Sequence, residues 1–450
     1  MNSFDPLDFA FRAGQELYKA GLMSVINARR QGRGRAPVAW PAVAATPSDT
    51  VWSEGNARLI RYRRDSQPTA RTPILMVCSL INRPYVLDLL SERSVVRRLL
   101  ERGHDVWLLD WGTPVHEDRQ RTLGDYALAQ LPRAASVVTR TTGVEQLHLL
   151  GYCMGGTLSL MAIAADRLPA ASLVAMATPV ALHDDGLLSL WCRTPNFDPV
   201  ELAASYGNVP PHILQPAFKM LDPVALATKF VHLEDKVEDD EFLRFFLAME
   251  TWLEDSVAFP GGAFVDWVRL YRSDALAQGS LVVDGTAIDL GRVRCPIFNI
   301  VAEGDYITPP ASSLALERLV GSRDQRVMRM SGGHIGLSTG RSAHERLWPA
   351  VSDWLLCHEV PAARRPTAPV EAGGDGAPSR PAAAAARHDA PASRPAAAAT
   401  RHDAPASRPA AAAARHDAPA SRPAKPEDKK MPAAARKLAR PQPSPPGKRR

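Results

Sequence analysis

A cysteine, an aspartate and a histidine stand in this chain in the order and local settings that acyl transfer through a covalent intermediate requires. In "LHLLGYCMGGTLSL" (residues 147–160), an apolar run leads into Gly151, Cys153 and Gly155 at alternate positions, and a helix-forming segment follows. That is the strand, tight turn and helix of a nucleophile elbow, which exposes the reactive atom in front of helix N–H groups. Small residues at 151 and 155 let the turn close, and Gly156 permits close helix packing. The backbone N–H of Met154 is one candidate oxyanion donor, and the helix end lowers the thiol pKa. Taken alone, G-x-C-x-G also describes a buried cysteine acting as a small hydrophobe.

An elbow enzyme needs an acid and then a histidine at the ends of later strands. "PIFNIVAEGDYITPP" runs an apolar strand into Asp305, and "VMRMSGGHIGLSTG" runs the next into His334, among Gly332, Gly333 and Gly336. Singly, Asp305 reads equally as a turn or cap aspartate, and His334 as a loop histidine. With Cys153 they form an ordered nucleophile, acid and base. The loop "SLINRPYVLDLL" occupies the place of the second oxyanion N–H, which Ile81 or Asn82 would supply; Asn82 could equally cap the helix that follows. His148 reads as a satisfied core residue, and His104 and His116 as loop positions. No P-loop, dinucleotide fingerprint or metal-ligand spacing occurs, so no cofactor or metal is expected.

These residues need elements to carry them. Six apolar runs, at 74–80, 105–111, 147–152, 171–177, 296–303 and 325–331, alternate with helix-patterned segments. Runs apolar on both faces with helices between them predict an α/β fold with a covered parallel sheet. The rhythm fails between about 181 and 290, where Trp191, Trp252 and Trp267 lie in a mainly helical pattern that includes "DDEFLRFFLAMETWLEDS". An insertion there predicts a cap over the sheet's carboxyl edge, leaving residues 46–360 as one catalytic domain. Residues 1–45 read as an amphipathic helix and an extended lead-in, packed on the body or on another subunit.

From about residue 361 the composition turns to Ala, Pro, Arg and His. A 14-residue unit, "RPAAAAARHDAPAS", begins at Arg380 and recurs at Arg394, with one change, and at Arg408. With almost no apolar side chain larger than alanine, residues 361–450 are expected to be a disordered arm. They hold 18 Lys+Arg against 7 Asp+Glu, leaving 36 against 41 for residues 1–360, so an acidic body carries a basic tail. Five scattered cysteines fit a reducing compartment. No run reaches the length of a membrane span and no signal peptide pattern opens the chain, so a cytoplasmic protein is expected.

The elbow "GYCMGG", the loop "LINRPYVLDLL" and the segments "LLDWGTP", "METWLEDS", "GTAIDLGRVRCPIFNIVAEGDYITPP" and "GGHIGL" together resemble polyhydroxyalkanoate synthase catalytic subunits, most of all the short class III type. The resemblance covers nearly all of residues 1–358. It implies an α/β-hydrolase fold with a helical cap, a Cys-His-Asp triad on Cys153, His334 and Asp305, and (R)-3-hydroxyacyl-CoA substrates. It also implies a growing polyester product, a companion subunit, a homodimer as a further assembly, and a place at polymer granules. Tyr306 and Ile307 depart from the family pattern after the aspartate, as does Met330-Ser331 before "GGHIG", and the tail is no part of it. Two rivals remain. One is a cysteine hydrolase, thioesterase or depolymerase, in which water resolves the acyl-enzyme. The other is a scaffold whose basic tail contacts nucleic acid through charge.

Overall fold

The computed structural model describes residues 6–64 and 66–360. The 14-residue repeats, and with them the expected disordered arm and its nucleic-acid contact, lie outside the described residues. The chain begins with α1 (Pro6–Gly32) and then extends to a hairpin of β1 (Ser48–Glu54) and β2 (Ala57–Tyr62). There follow β3 (Ile74–Val77), α2 (Val95–Glu101), β4 (Val106–Asp110), α3 (Leu131–Thr142), β5 (Leu147–Tyr152), α4 (Met154–Ala164) and β6 (Ala170–Met176). Between β6 and the next strand of the main sheet come α5 (Leu187–Arg193), α6 (Pro199–Tyr206), α7 (Pro211–Lys219), α8 (Pro223–Asp235), α9 (Asp240–Glu254) and α10 (Gly261–Ser273). A small hairpin, β7 (Leu281–Val283) and β8 (Thr286–Ile288), completes this insertion. The body resumes with β9 (Ile297–Ala302), α11 (Pro310–Leu314), α12 (Leu316–Leu319), β10 (Gln325–Met330), α13 (Gly336–Thr339) and α14 (Trp348–Cys357).

Among the described residues the sheet has eight strands in the order β1-β2-β4-β3-β5-β6-β9-β10, with β1 and β2 antiparallel and the other six parallel. Those six are the apolar runs of the sequence. Alternate side chains feed two cores: Leu75, Val77 and Leu149 pack on one face with α3 and α4, and Ile74, Met76 and Leu150 on the other with α2 and α14. Each such leucine or isoleucine contributes roughly 1.5–3 kcal/mol by leaving water. Every residue of α4 is buried, which explains why that helix is apolar all round.

Two expectations are corrected at the edges. β10 is not covered on both faces: Gln325, Arg326 and Arg329 are exposed, because it is the terminal strand and charge keeps that edge from pairing further. The β1–β2 hairpin is absent from the sequence reading; its outer strand, "SDTVWSE", is mostly exposed and carries no apolar run. The insertion is mainly helical, as expected, and α9 follows the apolar pattern read for residues 239–256. The helix α1 packs on this insertion, with Leu22 and Ile26 against Leu233, Val237, Leu243 and Leu247. No helix among the described residues is long and apolar enough to cross a membrane.

Candidate active site

The carboxyl ends of β3, β5, β9 and β10 converge, and each delivers one part of the site. At the end of β5, Cys153 turns the chain into α4 with φ 55° and ψ −126°, a backbone strained for a non-glycine residue. The turn closes because its neighbours have no side chain. A Cβ on Gly155 would lie 2.1 Å from the Val77 carbonyl oxygen, and one on Gly151 would lie 2.4 Å from the Gly156 Cα. Met154 is the first residue of α4, so its N–H lies at a helix start where donors have no intrahelical acceptor.

At the end of β9, Asp305 is buried with both carboxylate oxygens engaged. Its Oδ1 accepts from the backbone N–H groups of Ile307 (2.9 Å) and Thr308 (2.8 Å), and its Oδ2 lies 2.6 Å from His334 Nδ1. The Asp305 carboxylate requires His334 Nδ1 to donate, which leaves Nε2 for Cys153, whose side chain is hydrogen-bonded to the imidazole. The glycines before His334 serve close approach: Gly332 has φ 105°, and its carbonyl accepts the Gly304 N–H at 2.9 Å, tying the two loops together.

Burial pushes the Cys153 thiol up, but the charge of His334 and hydrogen bonds with His334 and Ser79 outweigh it and hold the thiol below its ordinary value. Burial likewise lowers His334, while the charges of Cys153 and Asp305 raise it further, so its net shift is upward. The opposite directions belong to one coupled pair, in which each group favours the charged form of the other.

Cys153, Met154, Ile81, Asn82 and His334 all line one cavity of about 350 Å³, with Asp305 behind the histidine. The far wall comes from the insertion: Leu214, Phe218, Met249, Trp252, Leu253 and Trp267 make it largely apolar. All six residues named from the sequence are therefore brought together. The alternative role of Asn82 is not seen, since the 3-10 turn Pro84–Leu87 has Arg83 at its N-cap. Of the family departures, Tyr306 and Ile307 line the cavity, whereas Met330 is buried in the core.

Of the histidine readings, the loop placement of His104 holds and its burial is added, while that of His148 as a satisfied residue is corrected. His104 is fully buried with Nε2 2.8 Å from Ser352 Oγ, so a turn position in sequence is a core position in space. His148 bonds Ser172 Oγ through Nδ1 at 2.8 Å, but its Nε2 has no partner among the described residues, so it is half satisfied. His116 is exposed and opens a short 3-10 helix, His116–Gln120. Two neighbours of the site were missed. Ser79 reaches the Cys153 sulfur from the loop after β3, and no spacing marks it. Tyr152 stacks on the His334 ring (centroids 5.1 Å apart) and its hydroxyl donates to the His334 carbonyl at 3.1 Å. Its place beside Cys153 in the elbow was the available clue.

Residues 85–340 match the family described as alpha/beta hydrolase fold, and residues 38–99 match the Poly-beta-hydroxybutyrate polymerase (PhaC) N-terminus. Three similar curated proteins are each named Poly(3-hydroxyalkanoate) polymerase subunit PhaC. The one from Haloferax mediterranei is 39% identical over 317 residues, 70% of this chain and 64% of that protein. The match thus spans less than two thirds of the Haloferax protein. The Haloarcula marismortui protein is 37% identical over 322 residues, 69% of this chain and 68% of its own length. The Allochromatium vinosum protein is 35% identical over 355 residues, 78% of this chain and 95% of its own length.

Proposed function

The chain belongs to the poly(3-hydroxyalkanoate) polymerase family, and from that premise we propose that it polymerises (R)-3-hydroxyacyl-CoA into polyester through a thioester on Cys153. The observation that carries this reading is the Cys153–His334–Asp305 chain of contacts at the floor of a capped, largely apolar cavity.

In this mechanism the Cys153 sulfur attacks the thioester carbonyl, its proton having passed to His334 Nε2. The tetrahedral oxyanion is received by the Met154 N–H and by the N–H of Ile81 or Asn82. The carbon–sulfur bond to CoA breaks, and CoA leaves with the proton from His334. One thioester has replaced another, so the acyl group stays activated; an oxygen ester on serine would forfeit that driving force. The 3-hydroxyl of the next acyl-CoA then attacks the acyl-enzyme, giving its proton to His334, while Asp305 holds the imidazole in the required tautomer. The carbon–sulfur bond to Cys153 breaks, the sulfur takes that proton back, and the lengthened chain, now a thioester of CoA, can reload Cys153. CoA is a substrate fragment here and no further cofactor enters the steps. We take short acyl chains such as 3-hydroxybutyryl as the donors; the word subunit in the relatives' names favours work with a companion subunit, and a place at polyester granules in the cytoplasm belongs to the same proposal.

The test combines purified protein with (R)-3-hydroxybutyryl-CoA, with and without a class III companion subunit, following free CoA and analysing the acyl product. Polyester formation that stops in Cys153→Ala and rises with the companion is expected. The breadth of the alpha/beta hydrolase match favours one rival, a cysteine hydrolase. Free hydroxy acid as the sole product would select it, and CoA release that survives Cys153→Ala would overturn both.

A further inference from the structure

The segment that carries Ile81 and Asn82 lies outside helix and strand, so something else must fix where its N–H groups point. Arg83, the next residue, is held at both its backbone and its side chain. Its carbonyl accepts the indole N–H of Trp252 at 2.8 Å, its Nε donates to Asp255 Oδ1 at 3.0 Å, and its Nη2 donates to Thr113 Oγ1 at 3.0 Å. Asp255 also takes a side-chain hydrogen bond from Tyr85, two residues further on. Thr113 belongs to the loop after β4, whereas Trp252 is in the last turn of α9 and Asp255 is its C-cap. The body supplies one of these anchors and the insertion supplies the others.

The helix α9 is itself gripped on another side. Tyr18 donates to Glu250 Oε2 at 2.5 Å, Lys229 pairs with Glu250 at 2.9 Å, Gln15 donates to Glu254 Oε2 at 2.9 Å, and Lys219 pairs with Glu254 at 3.0 Å. Both carboxylates are buried, so their satisfaction demands that α1, α7 and α8 be in place around α9. Oxyanion donors act only when they lie about 2.7–3.1 Å from the charge they receive.

We infer that Trp252 and Asp255 are positioning residues: through Arg83 they set the Ile81–Asn82 backbone for oxyanion binding, so the seating of the cap helix controls acylation of Cys153. The inference rests on the polymerase reading only for the identity of the acyl donor. It predicts that loosening these two contacts slows the steps that pass through a tetrahedral oxyanion, and leaves untouched those that need only the thiolate.

Trp252→Phe keeps an aromatic ring in the buried position and deletes the indole N–H. Asp255→Asn keeps the size of the side chain and weakens its hold on Arg83 and Tyr85; being partly exposed, it keeps the test open should Trp252→Phe unfold. Two rates on the full chain are compared. Alkylation of Cys153 by iodoacetamide, measured across pH, passes through no oxyanion. Acylation, read as the p-nitrophenol burst from p-nitrophenyl butyrate and as CoA release from (R)-3-hydroxybutyryl-CoA, does. In both variants acylation and kcat should fall about 10- to 100-fold, with KM nearly constant. The alkylation rate and its pH midpoint should stay within about two-fold and a few tenths of a pH unit of the parent. Unchanged acylation, or alkylation falling in step with it, overturns the inference. A parent protein that gives the nitrophenol burst but releases no CoA refutes the polymerase reading instead, and the nitrophenyl comparison still decides the role of Trp252 and Asp255.

Discussion

Acid should unfold this protein through three histidines that do not line the cavity, and the size of the effect follows from their burial. Burial pushes His104 down to about 4, His148 to about 3 and His344 to about 4, with nearby positive charge (Arg102 and Arg64, His104 and His358, Arg98 and Arg93 respectively) adding to it. An unfolded chain titrates its histidines near 6.5. Below that value the unfolded state binds protons that the folded state refuses, so the stability present above pH 6.5 is lost as pH falls toward 4. Each histidine costs about 1.4 kcal/mol per pH unit in that window, so by pH 5 three of them remove about 6 kcal/mol. That is comparable with the whole stability of many domains, roughly 5–15 kcal/mol. Asp88, Asp184 and Asp266, raised by burial, take up protons first in the folded state and act in the opposite sense nearer the carboxylate range. A variant comparison cancels them. Urea unfolding of the parent and of His148→Asn should be followed at pH 7.5, 6.5, 5.5 and 5.0 (values chosen to span the window). The stability difference between the two should shrink by about 1.4 kcal/mol per pH unit below 6.5. A difference that does not change with pH would refute the reasoning, because His148 would then be charged, or neutral, in both states.

Two further outcomes bear on the site and its scaffold. Asp305→Asn keeps an oxygen for the Ile307 and Thr308 N–H groups but presents an amide to His334 Nδ1; the imidazole should then adopt the other tautomer. Turnover should drop on the order of 10²- to 10⁴-fold, and the iodoacetamide pH profile of Cys153 should shift upward as the thiolate loses its partner. Gly155→Ala would drive a Cβ to 2.1 Å from the Val77 carbonyl oxygen and 2.5 Å from its carbon, both backbone atoms that cannot swing aside. A loss of about 3 kcal/mol or more in unfolding free energy is expected, and a change below about 0.5 kcal/mol would contradict the packing described.

The six parallel strands were legible because a strand covered on both faces writes a continuous apolar run, as "LHLLGY" does. The antiparallel edge was not, since "SDTVWSE" faces water over much of its length and alternates no signal. The β7–β8 hairpin carried a readable sign, Asp284-Gly285, and both residues have positive φ (47° and 75°), as a tight hairpin turn requires. At the site, Cys153, Asp305 and His334 could be found because each ends an apolar run and sits among turn residues. Ser79 and Trp252 could not, because the first is one serine in a loop and the second reaches Arg83 across 169 positions of chain. Likewise, nothing in a lone histidine at a turn tells that α14 will close over His104.

The helix α1 is made long before the surface it covers. Gln15 meets its partner on α9 239 residues later, and Arg30 meets the Val237 carbonyl 207 residues later. At a synthesis rate of about 5–20 residues per second, roughly 10–50 s separate the emergence of α1 from that of the surface it covers. Throughout that interval Leu22 and Ile26, buried in the finished fold, are open to water and to anything else with an apolar face. The buried carboxylates Glu250 and Glu254 arrive with their Tyr18 and Gln15 partners already waiting. Biogenesis therefore asks this chain to shelter α1 until its surface arrives, and a chaperone that binds nascent amphipathic helices would find a target in Pro6–Gly32.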